Sequence, residues 1–145
     1  MIDCFDKEYA FLSNFYETKV HYNGLTFDSS EAAFQAQKCP ERAHEFVGLS
    51  AKESKKLGRK VQMRTDWNEV RIQVMTEIVR TKFEQNSDIR QKLLDTYPEE
   101  LIEGNYWHDT FWGVCEGIGE NHLGQILMQI RREFAGWEVS REIQR

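Results

Sequence analysis

Proline is scarce, with two residues in 145, and cysteine hardly less so, with three. Cys4, Cys39 and Cys115 are odd in number, far apart and outside any C-x-x-C spacing. That argues against a disulfide scaffold or a closed zinc site and favours a reducing compartment. No stretch approaches the ~18 consecutive apolar residues of a membrane span. The opening Met1-Ile2-Asp3-Cys4-Phe5-Asp6 lacks the basic segment and apolar run of a secretory leader, so a cytoplasmic location is expected. Positive charge is in the minority, 19 Lys and Arg against 24 Asp and Glu, for a net charge of −5. The average field therefore does not draw the chain onto DNA or an anionic membrane. His21, His44, His108 and His122 show no metal-ligand spacing, and no metal or cofactor is expected.

What is present is globular composition, 40% hydrophobic and 30% charged, at a length near the commonest domain size. Residues 1–145 read as a single domain without repeats or linkers. The expected class is α+β, mostly helical, with a short N-terminal β-hairpin and no βαβ alternation. The first 28 residues read as short extended pieces. Among them Val20-His21-Tyr22 and Leu25-Thr26-Phe27 flank Asn23-Gly24, a two-residue turn signal. Asp28-Ser29-Ser30-Glu31 opens a helix to about Lys38, stopped by Cys39-Pro40. A short helix follows over about 41–47. Ser50-Ala51-Lys52-Glu53 has capping-box spacing and starts a helix that ends near Gly58.

A longer helix begins near Asp66, with Trp67, Val70, Val74, Met75, Ile78, Val79 and Phe83 as its apolar stripe. Ser87 opens another, with Ile89, Leu93 and Leu94 inward. Residues 100–120 read as irregular apart from one short strand. Asn121 caps a last helix that buries Leu123, Ile126, Leu127, Ile130 and Phe134, and the tail after Gly136 is expected to be loosely held.

Charge is unevenly spread. Lys52, Lys55, Lys56, Arg59, Lys60 and Arg64 face a single acid, Glu53, within thirteen residues. That suits either a solvated helix face or a phosphate-binding patch. Glu31, Gln35 and Lys38 lie at i, i+4 and i+7, so one helix face carries a carboxylate, an amide and an amine. Such a face can work on a sugar. The competing reading makes Glu31 the capping-box glutamate of Asp28 and Lys38 a solvated lysine. Trp107-His108-Asp109-Thr110-Phe111-Trp112-Gly113 suits a pocket that stacks a base and grips ribose, or equally a loop pinned by two tryptophans.

These residues, in this order, resemble the NADAR family, named for NAD and ADP-ribose. The matching stretches are Phe11-Leu12-Ser13-Asn14-Phe15, Ser30-Glu31 with Phe34-Gln35-Ala36-Gln37-Lys38, Leu57-Gly58-Arg59, and Asp66-Trp67 with Arg71 and Met75. They continue through Lys82-Phe83-Glu84-Gln85-Asn86, Leu101-Ile102-Glu103, Asp109 with Trp112-Gly113, and Asn121-His122-Leu123-Gly124 with Leu127-Met128. The resemblance covers about residues 11–134. It implies an N-glycosidase that breaks a bond between ribose C1 and the nitrogen of a guanine-like base. Two substrate types are implied: ADP-ribosylated guanine in DNA, and phosphorylated ribosylamino-pyrimidine intermediates of riboflavin synthesis.

By the same resemblance Glu31, Trp67 and Asp109 match functional positions, with Lys38 and Gln35 beside them. Glu31 is then the principal acid/base and Asp109 a ribose-binding or second acid/base group. Lys38 is a Schiff-base nucleophile or a phosphate contact. Trp67 or Trp112 stacks on the base, Asn14 bonds a hydroxyl and Arg59 meets a phosphate. Phe15, Gly113 and Asn121, all inside matching stretches, complete the expected binding set. Ala32-Ala33 and Val114-Cys115-Glu116 depart from the riboflavin-linked pattern, which tilts the expectation toward ADP-ribosyl-guanine. The expected partners are an ADP-ribose or phosphoribosyl ligand and ADP-ribosylated DNA, with no membrane. A non-catalytic nucleotide-binding module, or a small helical interaction domain, is the rival of another class.

Overall fold

A computed structural model describes residues 1–144. Its backbone clusters into two compact units, Ser13–Ser87 and Met1–Leu12 with Asp88–Arg145. Among the described residues no helix is long and apolar enough to cross a membrane.

In the unit Ser13–Ser87, Asn23 and Gly24 both take positive φ, 50° and 81°, as a tight turn of this kind requires. They join β1 (Val20–Tyr22) to β2 (Leu25–Phe27) in antiparallel register, Val20 opposite Phe27 and Tyr22 opposite Leu25. The outer edge of β1 is met by a side chain: Gln85 accepts from the His21 N–H at 2.8 Å and donates to the His21 carbonyl at 2.9 Å.

Helix α1 (Ser30–Ala36) is capped by Ser29, whose hydroxyl accepts from the Ala32 N–H, and every residue of the helix is buried. The segment Pro40–Phe46 is helical but of the 3₁₀ type, with proline at its start. Helix α2 (Ala51–Gly58) opens on the complete Ser50–Glu53 capping box. Helix α3 (Trp67–Gln85) buries Met75, Ile78, Val79, Lys82 and Phe83, positions spaced for one helix face. Val70 and Val74, expected inward, are only half-buried, because the buried face turns away from them. At its start Asp66 forms no side-chain cap. Its carboxylate instead takes a two-pronged bond from Arg64 at 2.5 and 2.8 Å.

In the other unit, Lys7–Leu12 forms a 3₁₀ helix where extended chain was expected. The segment lacks the alternation of a strand, and the Asp6 carbonyl turns the chain by accepting from the Tyr9 N–H at 2.8 Å. Helix α4 (Ser87–Asp95), which begins at the unit boundary, buries Ile89 and Leu93. The stretch expected to hold one strand holds two, β3 (Gly104–Asn105) and β4 (Val114–Cys115), paired in parallel. Two-residue strands are too short to show periodicity.

Helix α5 (His122–Gln144) buries the whole predicted stripe, from Leu123 to Phe134. It does not stop at Gly136. Once a helix is nucleated each further residue adds its own hydrogen bond, so the tail continues as helix although Trp137 and Val139 are exposed. Arg141 lies 4.6 Å from the Trp137 ring.

Candidate functional site

Seven residues make a helix too short to stand on its own propensity, and its first N–H groups need partners from outside. For α1 those partners come from the preceding loop. The Asn14 carbonyl accepts from the Glu31 N–H at 3.0 Å and from the Ser30 hydroxyl at 3.3 Å, and the Asn14 side-chain oxygen accepts from the same hydroxyl at 2.9 Å. The Asn14 amide donates in turn to the Met75 sulfur at 3.4 Å. Asn14, expected to bond a ligand hydroxyl, is 8% exposed and its side chain is engaged within the unit.

The cap is Ser29, not Asp28, so the third helical position belongs to Ala32 and Glu31 closes no capping box. Its carboxylate, in a residue 8% exposed, accepts instead from the Gln35 amide at 2.9 Å, one turn along the same face. The other end of that amide, Gln35 Oε1, is buried with no hydrogen-bond partner. It packs against Gly58, where a Cβ would collide with the Gln35 side chain. The glycine ending α2 therefore makes the room in which Gln35 reaches Glu31.

Lys38 follows α1 and is half-buried. Burial holds its amine below the ordinary lysine range. The Glu31 carboxylate pulls it back up, and the Arg59 and Lys55 cations press it down. Glu31, Gln35, Lys38, Arg59 and Lys55 are thus one electrostatic group, built by α1 and α2. Phe15 is exposed at its margin, with the Lys55 ammonium 5.8 Å from its ring. Trp67 is 4% exposed and packs on Phe34 with ring centroids 5.0 Å apart, so in this structure its face is taken by α1.

The other predicted positions lie in the second unit, around the Gly-rich loop. Asp109 Oδ1 accepts from the Phe111 N–H at 3.1 Å and the Trp112 N–H at 2.9 Å, closing the turn. Asn105 clamps Asp109 from both sides, accepting from its N–H at 3.0 Å and donating to its carbonyl at 2.8 Å. The same amide lies 3.3 Å from the Glu103 carboxylate. A Cβ at Gly113 would strike the Glu103 carbonyl and carboxylate, so glycine is required for this approach. Trp112 is half-buried, edge-on to Phe111 at 4.8 Å. Asn121, expected to cap α5, takes φ +55° and uses its amide otherwise, donating to the Leu101 carbonyl at 3.0 Å and accepting from the Glu103 N–H at 2.9 Å.

Four residues of these two clusters were not singled out by sequence reasoning. Gly58 is inside a matching motif, but only the structure reveals the side chain packed against it. Lys55 is one cation among six until α2 turns it toward Lys38. Glu103 and Asn105 stand in a stretch without periodicity, and only the loop's closure brings them to Asp109.

A family model described as the NADAR domain matches residues 4–135. A riboflavin biosynthesis protein of Vibrio vulnificus is 40% identical over 135 residues, covering 89% of this chain and 36% of that protein. The chain thus spans about a third of that relative's length. The N-glycosidase YbiA of Escherichia coli is 36% identical over 134 residues, covering 88% of this chain and 83% of that one. The NMR structure of the E. coli protein YbiA superposes with a TM-score of 0.84 at 33% identity, over 95% of this chain and 87% of that one.

Proposed function

The chain belongs to the NADAR domain family, and from that premise we propose that it hydrolyses the bond between ribose C1 and the nitrogen of a guanine-like base. It is an enzyme, a hydrolase of the N-glycosidase class, as the relatives' names support. The observation that carries the reading is the Glu31–Gln35–Lys38 face. A buried carboxylate held by a side-chain amide stands beside an amine whose proton affinity is lowered.

Loss of the base leaves positive charge on C1 and the ring oxygen. A fixed carboxylate stabilises that charge and can carry a proton to the departing base or from the attacking water. That is the role proposed for Glu31. A lowered amine pKa leaves more of Lys38 neutral near pH 7, which suits attack on C1 of a ring-opened sugar. In its ammonium form the same group, with Arg59 and Lys55, suits a phosphate.

The favoured substrate is ADP-ribosylated guanine in DNA. Lys52, Lys56 and Lys60 are exposed on and just after α2, the helix that carries Lys55, and add more positive charge than a small phosphate needs. Ala32 and Ala33 are both fully buried, so they no longer weigh against the riboflavin type. A second reading, cleavage of a phosphorylated ribosylamino-pyrimidine, is favoured by the name of the Vibrio relative. The proposed location is cytoplasmic.

Mass spectrometry on two parallel incubations separates the readings. One contains an oligonucleotide with ADP-ribosylated guanine, the other the phosphorylated ribosylamino-pyrimidine. Restored guanine with free ADP-ribose supports the first, and cleavage of the pyrimidine alone supports the second. Glu31→Gln should retain ligand affinity and lose about 100-fold or more in turnover. Normal turnover in that variant sinks the assignment. Cleavage of neither substrate, with ADP-ribose still raising the melting temperature, would leave a binding module.

A further inference from the structure

Lysine is almost never fully buried, because taking its ammonium out of water is costly. Lys82 is 1% exposed on the inner face of α3, among Met75, Ile78, Val79 and Phe83. A methionine would fill nearly the same volume without that cost. What the amine adds is a directed hydrogen bond: Nζ donates to the Ser13 carbonyl at 2.9 Å.

Seven residues earlier, two helical turns back on the same face, the Met75 sulfur accepts from the Asn14 amide at 3.4 Å. Helix α3 therefore holds two successive residues of one loop, Ser13 by its carbonyl and Asn14 by its side chain. Asn14 is also the residue whose carbonyl accepts from the Glu31 N–H, and whose side chain takes the Ser30 hydroxyl. Met75, Asn14, Ser30 and Glu31 are all buried, so water does not compete for these bonds. Gln35 fixes the far end of the Glu31 side chain, and the Ser13–Asn14 loop fixes its backbone.

We infer that Lys82 and Met75 are positioning residues for Glu31, acting through the Ser13–Asn14 segment. The inference rests on Glu31 being the acid–base group proposed above. Neither residue touches the reacting atoms in this scheme. They set where the carboxylate stands, and a small misplacement of such a group is enough to slow chemistry.

The test compares Lys82→Met and Met75→Leu with Ile78→Val, a core change on the same helix that leaves both grips intact. Hydrogen exchange at the Glu31 N–H, read by NMR, should quicken about tenfold in Lys82→Met relative to the Ile78→Val control, and to a smaller extent in Met75→Leu. On the cleaved substrate kcat should fall about tenfold in Lys82→Met with KM within about twofold, because positioning is lost and binding is not. If Lys82→Met does not fold, Met75→Leu carries the test alone. Glu31 exchange that tracks the control in every folded variant overturns the inference. If the wild-type protein cleaves neither substrate, the glycosidase reading fails, and Glu31 exchange by itself decides the positioning claim.

Discussion

Gly58→Ala puts the packing behind Glu31 to a quantitative test. Gly58 ends α2 outside the left-handed region, so its backbone accepts alanine. Helix propensity alone favours the change by up to about 1 kcal/mol. The added methyl, however, meets Gln35 Oε1 and Cδ, and Gln35 is 6% exposed with little room to retreat. Over-packing of this kind costs about 1–3 kcal/mol. If Gln35 swings away, the bond it donates to the Glu31 carboxylate is lost as well, and a hydrogen bond to a charged group is worth about 1.5–3 kcal/mol.

These opposing contributions leave a net loss of about 1–3 kcal/mol, because the two costs are alternatives in part: a side chain that moves relieves the clash. For a chain of this size each kcal/mol lowers the melting temperature by about 2–4 °C, so a fall of roughly 2–12 °C is expected by calorimetry. Turnover should fall too, since Glu31 loses the amide that holds it. A melting temperature raised by the substitution would mean that helix propensity outweighs the contact, and would refute the account of Gln35 as a held group.

Three further outcomes follow. Asp109→Asn keeps the oxygen that accepts from Phe111 and Trp112 but removes the charge; it should fold normally and lose at least about tenfold in turnover, whereas retained turnover would leave Asp109 a turn-closing residue. Asp109→Ala, which leaves two N–H groups unmet, should cost about 1–3 kcal/mol in a urea titration. Burial holds the Lys82 amine at about 7, below its value in the unfolded chain, so between the two the unfolded chain binds more protons. The Lys82 contribution to stability therefore rises with pH from about 7 toward 10, and the wild-type urea midpoint should gain on that of Lys82→Met over this range; a constant difference would contradict the burial.

Features encoded within a few residues were legible in the sequence. The Asn23-Gly24 turn and the Ser50–Glu53 box are chemical necessities of their local geometry, and both stand where the residues predict. The buried stripe of α5 was readable because one repeat dominates it. The face of α3 was only partly so: Lys82 counts as polar in any pattern, and its burial depends on a carbonyl 69 positions away. The paired strands β3 and β4 left no trace because pairing over two residues is a long-range event. At the site, the spacing of Glu31, Gln35 and Lys38 already placed them on one face. Whether Glu31 was a cap was not decidable, since Asp28, Ser29 and Ser30 are all competent N-caps, and only the fold shows that Ser29 takes the role. Asp109 was legible as an acid in an aromatic loop, and its clamp by Asn105 was not.

The Gln85 amide at the margin of the hairpin bears on how the protein behaves in a crowded solution. Two strands leave open borders, and an open border is a template for another copy of the same chain. At His21 the carboxamide imitates a peptide unit, offering one donor and one acceptor at the spacing a third strand would use. The border of β1 is thus occupied from within, by a group that cannot propagate. At His21, therefore, a helix side chain takes the place that a further strand would need in order to pair with β1.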